Sequence, residues 1–213
     1  MIFDLGFNRK FKIAVSFCMF FILITIISFA QNKGFRSGIM AGAVASQVDG
    51  DRHEGYNKAG FQGGIFLMNK FSKKTGFHVE MKYIQKGSRT INNPDSIYAP
   101  YYKLRLSYVE VPFLFDFYLK KKFMLETGTG FSYLFRARED VDRYGLTEPI
   151  PVFKRFDMPF VFGVCYFPLI NFYINFRFSY SIIPVRNHPA NQTWYFDKGQ
   201  YNNLLSFGMY LML

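Results

Sequence analysis

Tyr108-Val-Glu-Val-Pro-Phe-Leu-Phe-Asp-Phe-Tyr118 alternates with a period of two. Val109, Val111, Phe113, Phe115 and Phe117 share one face, and Tyr108, Glu110, Pro112, Asp116 and Tyr118 share the other, which is the pleat of a β-strand. The following run repeats the pattern. Phe123, Leu125, Thr127, Thr129, Phe131, Tyr133 and Phe135 oppose Glu126, Gly128, Gly130, Ser132 and Arg136. One face suits lipid and the other does not.

Working outward from this pair, strands are expected at about 35–46, 59–71, 75–86, 103–119, 122–136, 154–168, 171–183 and 203–213. Each reaches the roughly 9–11 residues that a tilted strand needs to cross a bilayer, about twice the usual globular strand. Their connections alternate in length. Asn69 to Lys74, Leu119 to Lys122 and Pro168 to Asn171 are tight, whereas 47–58, 87–102, 137–153 and 184–202 are long and rich in Gly, Pro, Asn and Asp. Short inner turns and long outer loops, with bulky aromatics at the strand ends, mark an outer-membrane barrel. The expected fold is all-β, an eight-stranded antiparallel up-and-down transmembrane barrel with short periplasmic turns and long extracellular loops.

A soluble sandwich or lipocalin-like carrier would alternate too, with its apolar face inside. Volume decides against it. Rows such as Val109 to Phe117 from every strand would overfill an eight-stranded interior and leave Glu80, Lys82, Glu110 and Glu126 outside on neighbouring strands.

The chain begins with a basic cluster (Arg9, Lys10, Lys12), an apolar run from Ile13 to Ile27, and Ser28-Phe29-Ala30 before Gln31. Residues 1–30 are therefore read as a cleaved signal peptide and 31–213 as the barrel domain; an uncleaved anchor is the alternative. Without residues 1–30 the chain keeps 23 basic and 14 acidic residues of its 26 and 15. That balance points to anionic surfaces such as lipopolysaccharide phosphates, and no nucleic-acid motif is present. Cys165 alone remains, so no intrachain disulfide can form. At the other end, Phe207-Gly-Met-Tyr-Leu-Met-Leu213 stops inside a strand and looks like the terminal signal read by the outer-membrane assembly machinery, without its commonest polar and Phe positions.

Ser37-Gly-Ile-Met-Ala-Gly-Ala-Val-Ala-Ser-Gln-Val-Asp-Gly-Asp51, then Tyr56-Asn-Lys-Ala-Gly-Phe-Gln-Gly-Gly-Ile-Phe66, resembles the opening hairpin of PorT-like outer-membrane barrel proteins. Tyr108-Val-Glu-Val-Pro-Phe-Leu-Phe115 is similar to their fourth strand. The resemblance implies an eight-stranded barrel of the porin-family type without an assigned activity; the family's namesake is associated with assembly of a secretion system, a role nothing in these residues carries over.

Parity places Glu80, Lys82, Glu110, Asp116, Glu126 and Arg177 inside, and small barrels have interiors filled by side chains. Buried charges need partners, so a structural ion-pair network is expected, centred on Glu110 beside Pro112. The competing reading of a carboxylate active site finds little support. No Gly-x-Ser-x-Gly elbow occurs. Asp49-Gly50-Asp51 with Glu54 supplies too few carboxylates for a calcium loop and reads as turn chemistry. His53, His78 and His188 sit on separate segments without metal-ligand spacing. No catalytic, cofactor or metal site is expected. The outer loops carry Tyr98, Tyr101, Tyr102, Trp194, Tyr195 and Phe196, suited to headgroup anchoring or partner contact.

The expected function is that of an integral outer-membrane barrel of a Gram-negative bacterium, structural or adhesive and without a wide pore. Its partners would be outer-membrane lipids, lipopolysaccharide and the assembly machinery. Two alternatives stand: a barrel component of an envelope secretion or assembly complex that binds a protein partner, and a lipid-modifying barrel enzyme using His53 or His188.

Overall fold

The computed structural model describes residues 34–51, 55–90, 101–120, 122–187 and 199–213; residues 1–30 and Glu54, with His53, His188, Tyr98, Trp194, Tyr195 and Phe196, lie outside them. Nine strands follow one another: β1 (Phe35–Asp49), β2 (Lys58–Asn69), β3 (Thr75–Lys86), β4 (Tyr102–Lys120), β5 (Phe123–Val141), β6 (Phe156–Asp157), β7 (Pro159–Leu169), β8 (Phe172–Ser181) and β9 (Tyr201–Met212). β6 and β7 both pair with β5 and are separated only by Met158, so they form one interrupted stave. All pairings are antiparallel between neighbours, and β9 returns to β1, which closes an eight-staved barrel with no free edge. Closure satisfies every ladder, the condition for spanning lipid with strands.

The apolar face is outside. Phe113, Phe115 and Phe117 of β4, Phe131 and Tyr133 of β5, and Phe160, Phe162 and Phe176 of β7 and β8 are exposed, while Glu110, Asp116, Glu126 and Arg177 are buried. Parity therefore assigns the faces as the sequence implies.

Two departures have physical causes. β5 runs five residues past the expected end at 136 and, with β4, reaches 19 residues. Within it, Tyr108 pairs with Leu134 but Ser107 with Arg136, so Phe135 is an extra residue. This β-bulge reverses the parity beyond it. Arg136, expected inside, is exposed, and Glu139 is buried instead.

Candidate functional site: a filled lumen

The interior is layered along the barrel axis. At the short-turn end Met40, Phe66, Met68, Met124, Cys165, Tyr173, Tyr210 and Met212 form a buried cluster. Tyr173 stacks on Tyr210 with ring centres 4.4 Å apart and on Phe167 at 4.8 Å. A second buried cluster near the long loops contains Tyr102, Leu104, Leu106, Tyr108 and Leu134, joined by Phe153 and Val185. These last two belong to the connections following β5 and β8, so loop side chains stopper the mouth.

Between the plugs lies a continuous chain of charges. Arg177 Nη1 and Nη2 each stand 2.9 Å from a carboxylate oxygen of Glu80, a bidentate pair, and its Nε lies 2.5 Å from Glu126 Oε1. Glu80 also accepts from Tyr210 Oη at 2.9 Å and faces Lys82 at 3.2 Å. Lys82 bridges to Glu110 at 3.4 Å, and Glu110 takes Lys86 at 2.7 Å and the Ser132 hydroxyl at 2.8 Å. Lys86 continues to Asp157 at 3.2 Å, which accepts from Asn202 Nδ2 at 2.9 Å. Glu110 thus anchors one half of the network; the other half converges on Glu80.

All six polar residues expected inside are buried, and each touches another member of this chain or His78. The register explains why. Strands β3, β4, β5, β7 and β8 are consecutive staves, and Lys82 lies opposite Glu110, Asp116 opposite Glu126, and Gly163 opposite both Glu126 and Arg177. Charges of opposite sign so placed in a buried lumen satisfy one another, whereas either alone would carry a large desolvation cost.

Sequence spacing did not single out His78, Lys86 or Asp157. His78 is fully buried, with Nδ1 2.7 Å from Asp116 Oδ1 and Nε2 3.4 Å from Glu80 and 3.5 Å from Glu126. The signal was present in parity: His78 shares its face of β3 with Glu80, Lys82 and Lys86. His78, Asp116 and Glu126 offer ligand atoms within 4.8 Å of one another, the one such group among the described residues. Arg177 pairs with Glu126 and the His78 imidazole hydrogen-bonds Asp116, so each carboxylate of this group already has a protein partner. Cys165 joins the same cluster, its thiol 3.4 Å from Glu126 Oε2 and accepting from Asn175 Nδ2 at 3.0 Å.

Of the loop aromatics, Tyr101 is partly exposed, with the Arg143 guanidinium 5.6 Å from its ring centre. Tyr102 turns inward instead. It is 8% exposed and donates to Glu139 at 2.7 Å, which also holds Arg186 at 3.1 Å, so it seals the mouth and presents nothing to headgroups.

Residues 29–187 match the family described as outer membrane protein beta-barrel domain. No curated protein matches the chain in sequence. Among solved structures, Neisserial surface protein A is 15% identical, with 84% of this chain and 99% of that chain covered and a TM-score of 0.53. Ail, the attachment invasion locus protein of Yersinia pestis, is 16% identical over 85% of this chain and 99% of that one, with a TM-score of 0.48. OprG of Pseudomonas aeruginosa, at 13% identity, covers 84% and 91% with a TM-score of 0.35. The first of these shares the small closed barrel, and the family match extends over three quarters of the sequence: the chain belongs to the outer membrane protein beta-barrel domain family.

Proposed function

We propose that this outer-membrane barrel works through its surface, as a structural or adhesive element, and not by conducting solutes or by catalysis. The observation that carries the reading is the lumen, where charged side chains from consecutive staves pair across the bore between two apolar plugs. An eight-stranded interior is just wide enough for its own side chains. Residues 1–30 act as the export signal, the long loops face outward, and outer-membrane lipids, lipopolysaccharide and the assembly machinery are the partners. Swelling of liposomes containing the purified barrel in small sugars should match that of empty liposomes. Swelling at the rate of a general porin would overturn the reading.

A second reading has its own support. At the short-turn end a recess of about 1210 Å³ is lined by Arg36, Lys70, Lys73 and Lys122 around Tyr118 and Phe167. A basic cup with an aromatic floor suits an acidic periplasmic protein segment, as a barrel component of an envelope secretion or assembly complex would need. A stoichiometric partner that co-purifies after mild detergent extraction, and is lost from Lys70→Gln with Lys73→Gln, would favour this role.

A further inference from the structure

Outward-facing cations at the long-loop end are gathered on one flank. Arg89 lies opposite Lys103 in an isolated antiparallel bridge, and Arg105 lies opposite Arg138. Beside them Arg136 pairs with Ser107 and is turned outward by the bulge at Phe135. Like charges directly opposite on one face destabilise a sheet. Among the described residues, the carboxylates matched to these cations are Asp140, opposite Lys103, and Glu148, 3.4 Å from Arg138. Five cations are thus paired with two carboxylates.

Among the described residues the far flank differs. Outward positions near the same end of β1, β8 and β9 hold Gln47, Asp49, Tyr180, Tyr201 and Asn203, without a cation among them.

Height on the barrel identifies what the charges face. The apolar row from Phe117 to Val109 rises ~26 Å along β4, or ~20 Å normal to the membrane at the usual strand tilt, which approaches the apolar band of such barrels. Aromatics gather at its upper edge, with the Tyr83 ring 5.1 Å from Phe61 and 5.9 Å from Phe135. Lys103, Arg105, Arg136 and Arg138 stand just above it. An anion held there would have its phosphates among the guanidinium groups and its acyl chains on the aromatic wall. A soluble anion would gain nothing from that wall.

We infer that the β3–β5 flank is a lateral docking site for a phosphorylated lipid headgroup of the outer leaflet, bridging cations that otherwise repel one another. The inference rests on the outward orientation of the long loops proposed above, and it assigns the lipid partner to particular residues. Guanidinium groups supply the planar donor fork that phosphate oxygens accept.

The test uses phosphatidylcholine nanodiscs doped with diphosphoryl lipid A or with its dephosphorylated form, and counts lipids retained on the folded barrel by native mass spectrometry. The diphosphoryl lipid should be retained preferentially. Arg105→Gln with Arg138→Gln should reduce that preference roughly tenfold, the equivalent of about 1.4 kcal/mol, while Lys74→Gln at the opposite end keeps it. Both variants should keep the compact unboiled band on SDS gels, because all three positions are at the surface. Equal retention of the two lipids, or an unaltered preference in the arginine variant, overturns the site. So does displacement of the lipid by inorganic phosphate at comparable concentration, which would assign the flank to a free anion. Labelling of a cysteine introduced at Gly145 on intact cells reports loop orientation independently, so failure of that premise is seen separately.

Discussion

Arg177 holds Glu126 across an intervening strand, with Nε 2.5 Å from Oε1. The β7 residue between them is Gly163, paired with Glu126 on one side and Arg177 on the other. A Cβ at this position would fall on the Glu126 carboxylate. The absent side chain is what allows the two charges to meet.

Gly163→Val is therefore expected to force Glu126 away from its guanidinium and lower stability by about 3 kcal/mol, the scale of a broken buried pair. The unfolding temperature of the compact band in heated SDS samples would fall. An unchanged temperature would mean that the bond contributes little.

Arg177→Met should be worse, since it strips Glu80 and Glu126 of their shared cation at once. A loss of roughly 3–5 kcal/mol is expected. Adding Glu80→Gln and Glu126→Gln to the same chain should recover most of it, because neutral amides need no counter-charge. If the triple variant is no better than the single one, packing and not charge explains the defect.

His78→Leu leaves Asp116 facing Glu126 across β4 and β5 without the imidazole beside both. Two buried carboxylates so placed repel, and a loss of about 3 kcal/mol is expected. His78→Gln, which still donates to Asp116, should lose less. The comparison is read from the same melting of the compact band.

Cys165 is fully buried and is the single cysteine of residues 31–213. In folded protein it should resist maleimide, and after boiling in SDS it should react completely. Prompt labelling of the unboiled form would show that the lumen opens at the level of Glu126.

Removing the loop stopper with Phe153→Gly and Val185→Gly should leave ion conductance in planar bilayers at its original level. The obstruction beneath is the charge network, whose side chains come from the barrel strands and not from those loops. A clear rise would place the seal at the mouth.

The barrel and its inside-out polarity were legible because alternation at Val109 to Phe117 survives over whole strands, and volume excludes the reverse arrangement. The same parity found Glu80, Lys82, Glu110, Asp116, Glu126 and Arg177. His78 is not legible from spacing along the chain, because Asp116 and Glu126 reach it only through strand pairing. The outward turn of Arg136 is hidden too, because one extra residue in a ladder leaves no mark on hydrophobicity and the bulge appears only in the pairing of Ser107. Tyr102 lies beside the loop aromatics in sequence, but β4 begins at that residue and its parity carries it inward to Glu139.

β4 and β5 are each 19 residues long, while β8 has 10 and β7 has 11. At ~3.3 Å per residue, that hairpin continues well past β7 and β8, residues 88–90 accompany β4 to its first residue, and a bridge from Glu139 to Thr147 folds the following loop back onto the hairpin. Among the described residues the barrel therefore ends unevenly, a parapet at β4 and β5 and a lower sill at β7 and β8. With the long loops outward as proposed, a molecule approaching through the sugar coat of the cell would meet that parapet, so shortening the hairpin would alter reach without altering the barrel below.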